Sequence, residues 1–187
     1  MAAADVGRDL GCDCIDVPEV SARLWIAFEA SALRIVHWSA AGSEPDEALG
    51  AGYATRRSLP AAWREPLVRY LAGEKILLDT LPIAPEGTAF QCSVWDALRR
   101  IPRGHVRTYA GIANDIAKPR AMRAVGSANG KNPLAIVVPC HRVVEAGMQL
   151  GGYTGGVHLK RFLLELEDVR IVGGHVQPGQ LDLLGSR

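Results

Sequence analysis

No apolar run in this 187-residue chain reaches the roughly 20 residues that a membrane-spanning helix requires. The opening stretch MAAADVGRDLGCDC lacks the basic-then-apolar order of a secretion signal. These two absences predict a soluble, cytoplasmic protein with no membrane partner. Cysteine is scarce. Four residues, Cys12, Cys14, Cys92 and Cys140, in a reducing compartment read as thiols and not as a disulfide framework. There is no internal repeat and no low-complexity tract, which argues against a solenoid or array. Net charge is almost nil at +1, yet it is unevenly spread. Between Arg99 and Arg142 nine Lys and Arg face one acid, Asp115, a formal +8 that leaves −7 for the rest. Charge alone leaves two readings open, a polyanion partner such as DNA or a solvated helix face.

The composition, 48% hydrophobic and 22% charged, is ordinary for one generous domain or two small ones. Residues 1–20 read as a loose lead-in. LWIAFEA (24–30) and LRIVHW (33–38) alternate as strands close enough to form a hairpin. Residues 39–52 read as a Gly-rich loop with one helical turn, 60–73 as a helix stopped by Gly73, and 75–82 as a third strand. IAPEG (83–87) is a linker. Thr88 and Gln91 have capping-box spacing at the head of a helix over 88–102. Thr108 caps a helix over 109–118. A further helix spans 119–130, with Pro119 in its first turn and Gly130 as its stop. The two short helices fit a helix-turn-helix, and Arg120 and Arg123 share one face of the second. LAIVVP (134–139) reads as a short strand or extended segment, GGYTGG (151–156) as a tight loop and 157–167 as the last helix. The tail from Gly173 reads as fraying. The fold class is α+β. A small N-terminal α/β domain (1–82) with a short antiparallel sheet precedes the linker (83–87). An all-helical C-terminal domain (88–172) with a winged-helix-like helix-turn-helix follows, and then a flexible tail (173–187).

Chemistry concentrates in VVPCHRVV (137–144). Zinc sites pair their ligands at short fixed spacings, and the adjacent Cys140 and His141 diverge with no second pair nearby. Cys12 and Cys14 are also too close for the usual zinc knuckle. A structural zinc is therefore not expected. A Cys among valines is ordinarily a small core hydrophobe. Against that, His141 and Arg142 supply a base and a positive field that would lower a thiol pKa. Local chemistry leaves packing and reactivity both open.

A longer pattern bears on the choice. PCHRVV (139–144) resembles the active-site signature of the O6-alkylguanine-DNA alkyltransferases, the methylated-DNA–protein-cysteine methyltransferases. FQCSVWDALRRIPRGHVRTYAGIA (90–113) is similar to that family's entry into its DNA-binding half. RAVGSANGKNPLAIVVPCHRVV (123–144) resembles its recognition helix, Asn hinge and active-site loop in unbroken register. GGYTGG and KRFLLELE (160–167) fall where the family has its substrate loop and last helix. The resemblance is strong over residues 86–170 and holds only in outline before them.

What the resemblance implies is direct DNA repair. The alkyl group of O6-alkylguanine, and of O4-alkylthymine, passes irreversibly to Cys140, once per protein molecule and without a cofactor. His141 would act as base towards Cys140 through a water, and Glu167, favoured by register over Glu165, would orient it. Asn132 would hold the turn, and Tyr109 would help rotate the nucleotide out and donate to the departing guanine. Arg123 would fill the gap in the base stack. Arg120, Ala124, Gly126, Ser127 and Lys131 would meet the DNA, with small residues admitting the helix to the minor groove. Val143, Tyr153, Thr154, Lys160 and Gly151 would line the guanine pocket. The partner would be double-stranded DNA containing O6-alkylguanine, bound by a monomer that associates along the duplex.

The loop EAGMQLGG (145–152) has its own sequence and would tune which alkyl groups fit. Three alternatives compete. A non-enzymatic alkyltransferase-like sensor replaces the acceptor cysteine, so Cys140 argues against it. A helix-turn-helix regulator would bind a defined sequence and keep its thiol. A Cys-His hydrolase rarely places the pair in adjacent positions.

Overall fold

A computed structural model describes residues 10–50 and 55–177. The chain forms two units, Met1–Glu86 with Pro133–Ala135, and Gly87–Asn132 with Ile136–Arg187. The class is α+β.

The first unit is built on a sheet of order β3-β2-β1-β4. Strands β1 (Gly11–Val17), β2 (Ala22–Phe28) and β3 (Leu33–Ala40) run antiparallel. The two-residue β4 (Thr55–Arg56) pairs parallel to β1, so the sheet is mixed. The hairpin of β2 and β3 follows from the alternation in its sequence. Strand β1 corrects the reading of residues 1–20 as a loose lead-in. Its acids look like loop residues, but each has a partner. Asp16 faces Arg23 in register and binds it at 2.6 Å, while Asp13 accepts from the Leu59 amide at 2.9 Å and Arg64 at 2.8 Å. Paired this way, Asp13 and Asp16 let Ile15 and Val17 be buried.

Helix α1 (Pro45–Leu49) is the single turn expected in the 39–52 loop. Helix α2 (Ala61–Leu71) buries Leu67 and Tyr70, and Gly73 follows it at φ +87°. Residues 75–82 form no strand. Leu78 and Leu81 are buried three apart, a spacing that a turn satisfies and a strand of period two does not. Ile83 makes one bridge to Leu33 instead.

The second unit opens with α3 (Ala89–Arg99). Its capping box is complete, with the Gln91 amide donating to Thr88 Oγ1 at 3.2 Å and the Thr88 amide to Gln91 Oε1 at 2.8 Å. Strand β5 (Arg107–Thr108) leads into α4 (Tyr109–Asp115), where Thr108 accepts from the Gly111 amide at 3.0 Å. Helix α5 is Met122–Gly130, shorter than the expected 119–130. Pro119 and Arg120 lie in the preceding turn, because Ala117 at φ +55° redirects the chain first. Trp95 Nε1 donates to the Ala128 carbonyl at 2.9 Å and ties α3 to α5.

Residues 134–139 are not a strand. Leu134 makes a single bridge, to Val36 in the first unit's sheet, and the chain then turns at Ile136, φ +63°. The run is apolar because it is buried, not because it pairs. Strand β6 (Val143–Val144) pairs parallel to β5, and α6 (Val157–Leu166) follows. The chain past residue 172 does not begin to fray there. Strands β7 (Ile171–Val172) and β8 (His175–Val176) form a hairpin around Gly173 and Gly174, both at positive φ. Val176 is buried with Val106, Val144, Leu150, Leu164 and Val169, which holds the hairpin down. The rest of the expected tail, 178–187, lies outside the described residues. This unit therefore carries two short ladders beside its helices. No described helix is long and apolar enough to cross a membrane.

Candidate active site

Pro139 ends the turn at φ −79°, and Cys140 opens a 3₁₀ turn, Cys140–Arg142. The turn is held from both sides. Asn132 Nδ2 donates to the Val138 carbonyl at 2.7 Å, and Asn129 Nδ2 to the Cys140 carbonyl at 3.4 Å. Arg142 N closes on the Pro139 carbonyl at 3.0 Å. Cys140 is buried, at 7% exposure. Burial pushes its thiol up from the ordinary range. Hydrogen bonds from Asn132 and Tyr153 and the charge of Lys160 pull it back.

The adjacent His141 points away from solvent at 0% exposure, and its Nε2 donates to Glu167 Oε1 at 3.1 Å. Glu167 is 1% exposed yet anionic. Burial opposes its charge, but His141 and Arg142 outweigh that and hold the carboxyl well below the usual range. Arg142 grips both carboxylate oxygens, Nε to Oε2 at 2.9 Å and Nη2 to Oε1 at 2.8 Å. Its remaining nitrogen donates to the Ile101 carbonyl at 2.6 Å. An anionic Glu167 fixes the His141 tautomer. Nε2 carries the hydrogen, and Nδ1 carries the lone pair. Burial also lowers the His141 pKa, so the ring is neutral at pH 7 and able to take a proton.

Lys160, on α6, is fully buried. Its ammonium donates to the carbonyls of Val143 at 2.6 Å, Gly152 at 3.3 Å and Leu150. Burial brings its pKa down to about 8. These bonds stitch segment 150–152 to strand β6. The parallel pairing of Arg107 with Val143 and Thr108 with Val144 sets Tyr109, at the start of α4, beside the same segment. Among the described residues no group of three His, Cys, Asp or Glu is placed to hold a metal, and all four cysteines are free thiols.

Residues 89–169 match the family model described as the 6-O-methylguanine DNA methyltransferase DNA-binding domain. The methylated-DNA–protein-cysteine methyltransferase of Salmonella typhimurium is 40% identical over 151 residues, 77% of this chain and 88% of that protein. The chain belongs to the methylated-DNA–protein-cysteine methyltransferase family. The Methanosarcina acetivorans member is 55% identical over 101 residues, 54% of this chain and 64% of its own length. That match therefore spans under two thirds of the relative. Among solved structures, Mycobacterium tuberculosis OGT in complex with DNA superposes at TM-score 0.72. It is 39% identical and covers 84% of this chain and 92% of that one.

In this member of the family the structure gathers Cys140, His141, Glu167, Asn132, Tyr153, Val143 and Lys160 around one buried turn, with Tyr109 alongside. It does not bring all the expected residues there. Thr154 is exposed, and its hydroxyl donates to the Gly130 carbonyl at 3.3 Å. Arg120 lies outside α5 and does not share a helical face with Arg123. Arg123, Ala124, Ser127 and Lys131 are exposed along or just after α5. A Cβ on Gly126 would lie 3.8 Å from the Tyr109 ring. Two residues were missed. Asn129 supports the Cys140 carbonyl, and Arg142 is a partner of Glu167 and not a neighbour of the thiol alone. No local signal joins Arg142 to an acid 25 positions on.

Proposed function

We propose that this protein repairs DNA by moving the alkyl group of O6-alkylguanine to Cys140, one group per molecule. The buried Cys140-turn beside a neutral His141 fixed by an anionic Glu167 carries this reading. His141 Nδ1 accepts the thiol proton through a bridging water. The thiolate attacks the alkyl carbon in line. The S–C bond forms as the O6–C bond breaks, its electron pair leaves on guanine, and the Tyr109 hydroxyl supplies the guanine's proton. The step balances without an added cofactor. Tyr153 and Gly151 flank the flipped base, with Lys160 holding the pocket's backbone and Thr154 at its margin.

Small and polar residues on α5, Ala124, Gly126 and Ser127, let the helix enter a groove. Arg120 and Lys131 neutralise phosphates, and Arg123 occupies the place of the flipped nucleotide. The reading extends to O4-alkylthymine as a second substrate and to a cytoplasmic monomer that associates along DNA. Arg123→Ala should slow transfer from duplex DNA by about tenfold or more and leave transfer from the free base O6-benzylguanine nearly unchanged. Equal losses on both would remove the finger role.

The pH dependence has a definite sign. Burial holds Cys140 as the thiol and His141 neutral, so between about pH 7 and 8 the proton passes from one to the other inside the site and the rate should change little. Below the ordinary imidazole range His141 takes a proton from solvent and no longer acts as base, so the rate should fall about tenfold per unit. Above about 8 Lys160 loses its charge and its pull on the thiolate, which should slow transfer. A pH–rate profile with the free base checks this. A rate that rises about tenfold per unit from about 7 to 8 would mean that solvent, and not His141, takes the thiol proton.

The test of the reading is an intact mass spectrum after incubation with duplex DNA carrying one O6-methylguanine. A gain of one methylene per protein, mapped to Cys140 and saturating at one equivalent, supports it. Tight binding without gain points to a damage sensor, and neither binding preference nor gain overturns the reading altogether.

A further inference from the structure

The loop after the active-site signature begins with Glu145, a carboxylate the repair chemistry above does not use. Its position is fixed. Thr108 pairs with Val144 in a parallel ladder, so Tyr109 and Glu145 leave that ladder side by side. The Glu145 amide donates to the Gln149 carbonyl at 2.9 Å and the Met148 amide to the Glu145 carbonyl at 3.2 Å, which pins the residue at the root of a short turn. Its side chain folds over Gly151. A Cβ there would lie 2.7 Å from both Glu145 Cγ and Oε1. Among the described residues no hydrogen bond or ion pair engages this carboxylate. Its charge reaches the site all the same, adding to the burial that raises Tyr109 and opposing the burial that lowers Lys160. Lys160 offsets only part of this field, because its ammonium sits on the carbonyls of Val143, Leu150 and Gly152 and among the described residues no ion pair joins it to Glu145.

We propose that Glu145 gives the acceptor site a charge preference: it disfavours O6 substituents that carry a carboxylate and favours neutral or cationic ones. The inference rests on the repair reading above. A group borne on the transferred carbon moves with it to sulfur, so it meets the Glu145 charge both before and after the bond changes. Glu145 is exposed, so water screens much of its field, and the repulsion that remains between it and a second carboxylate is modest.

The test uses two duplexes of near-identical shape, one with O6-carboxymethylguanine and one with neutral O6-carbamoylmethylguanine. Single-turnover rates are measured for the wild type, Glu145→Gln and Glu145→Lys. Intrinsic differences between the two leaving reactions cancel when the neutral-to-anionic rate ratio is compared across proteins. The wild-type ratio should exceed that of Glu145→Gln by about threefold, and Glu145→Lys should lower it further. A ratio that stays constant across the three proteins overturns the proposal. Wild-type transfer from O6-methylguanine separates the two failures. If methyl transfer is absent, both readings fall, and if it is present with a constant ratio, only the role of Glu145 falls.

Discussion

Cys140→Ala abolishes alkyl uptake, with a fall in single-turnover rate expected on the order of 10⁴-fold or more. The loss is this large because no other thiol has the same surroundings. Cys92 is half-buried on α3, with its sulfur 3.8 Å from the Gly87 carbonyl, and Cys12 and Cys14 sit on β1 of the other unit. None has a neutral imidazole tied to a buried carboxylate beside it. The substitution removes one sulfur from a packed turn, so the stability cost should be about 1 kcal/mol. Affinity for the lesion-bearing duplex should change by less than about threefold, since the exposed residues of α5 are untouched. Mass spectrometry and a binding titration on the same preparation check both halves. Alkyl uptake that persists in this variant, mapped to Cys92 for instance, would refute the assignment.

Glu167→Gln should slow transfer by about 10²- to 10⁴-fold and lower stability by about 2–4 kcal/mol. The carboxylate accepts three hydrogen bonds, one from His141 and two from Arg142, and it is shielded from water. An amide offers one acceptor oxygen. With its nitrogen towards Arg142, two donors face each other against a charge that has lost its partner. With its nitrogen towards His141, Nε2 must become the acceptor, so Nδ1 takes the hydrogen and the base is gone. Either orientation breaks one function of the group. Denaturant unfolding reports the clamp on Arg142, and the pH–rate profile reports the tautomer. A variant with lowered stability but a full rate would reduce Glu167 to a structural clamp.

Short-range chemistry made much of this molecule legible in its sequence. The β2–β3 alternation, the Thr88–Gln91 capping box and the apolar face of α6 each dictate structure within a few residues. What escaped depends on distant partners. Asp13 and Asp16 disguise β1 as loop because Arg64 and Arg23 are invisible from within that stretch. The apolar run 134–139 turns where a short strand or extended segment was expected, as the Val138 carbonyl accepts from Asn132 and the Ala135 amide donates to the Val36 carbonyl of β3, with no regular ladder. At the site, the Cys–His–Glu set was readable only through a long motif. Arg142 and Glu145 act through contacts that the motif does not express.

Residues 133–135 close onto β3, with Val36 N donating to the Pro133 carbonyl at 2.8 Å and Ala135 N to the Val36 carbonyl at 2.9 Å. These partners are about a hundred residues apart along the chain. During synthesis, at roughly 5–20 residues per second, β1, β2 and β3 leave the ribosome many seconds before the segment that completes their edge. The amino-terminal unit must therefore wait, with that edge open, until α3, α4 and α5 have been made. For the same reason no single cut of the chain yields this unit whole: a protease acting between residues 83 and 132 severs the edge segment from the sheet in sequence, and only the fold keeps it in place.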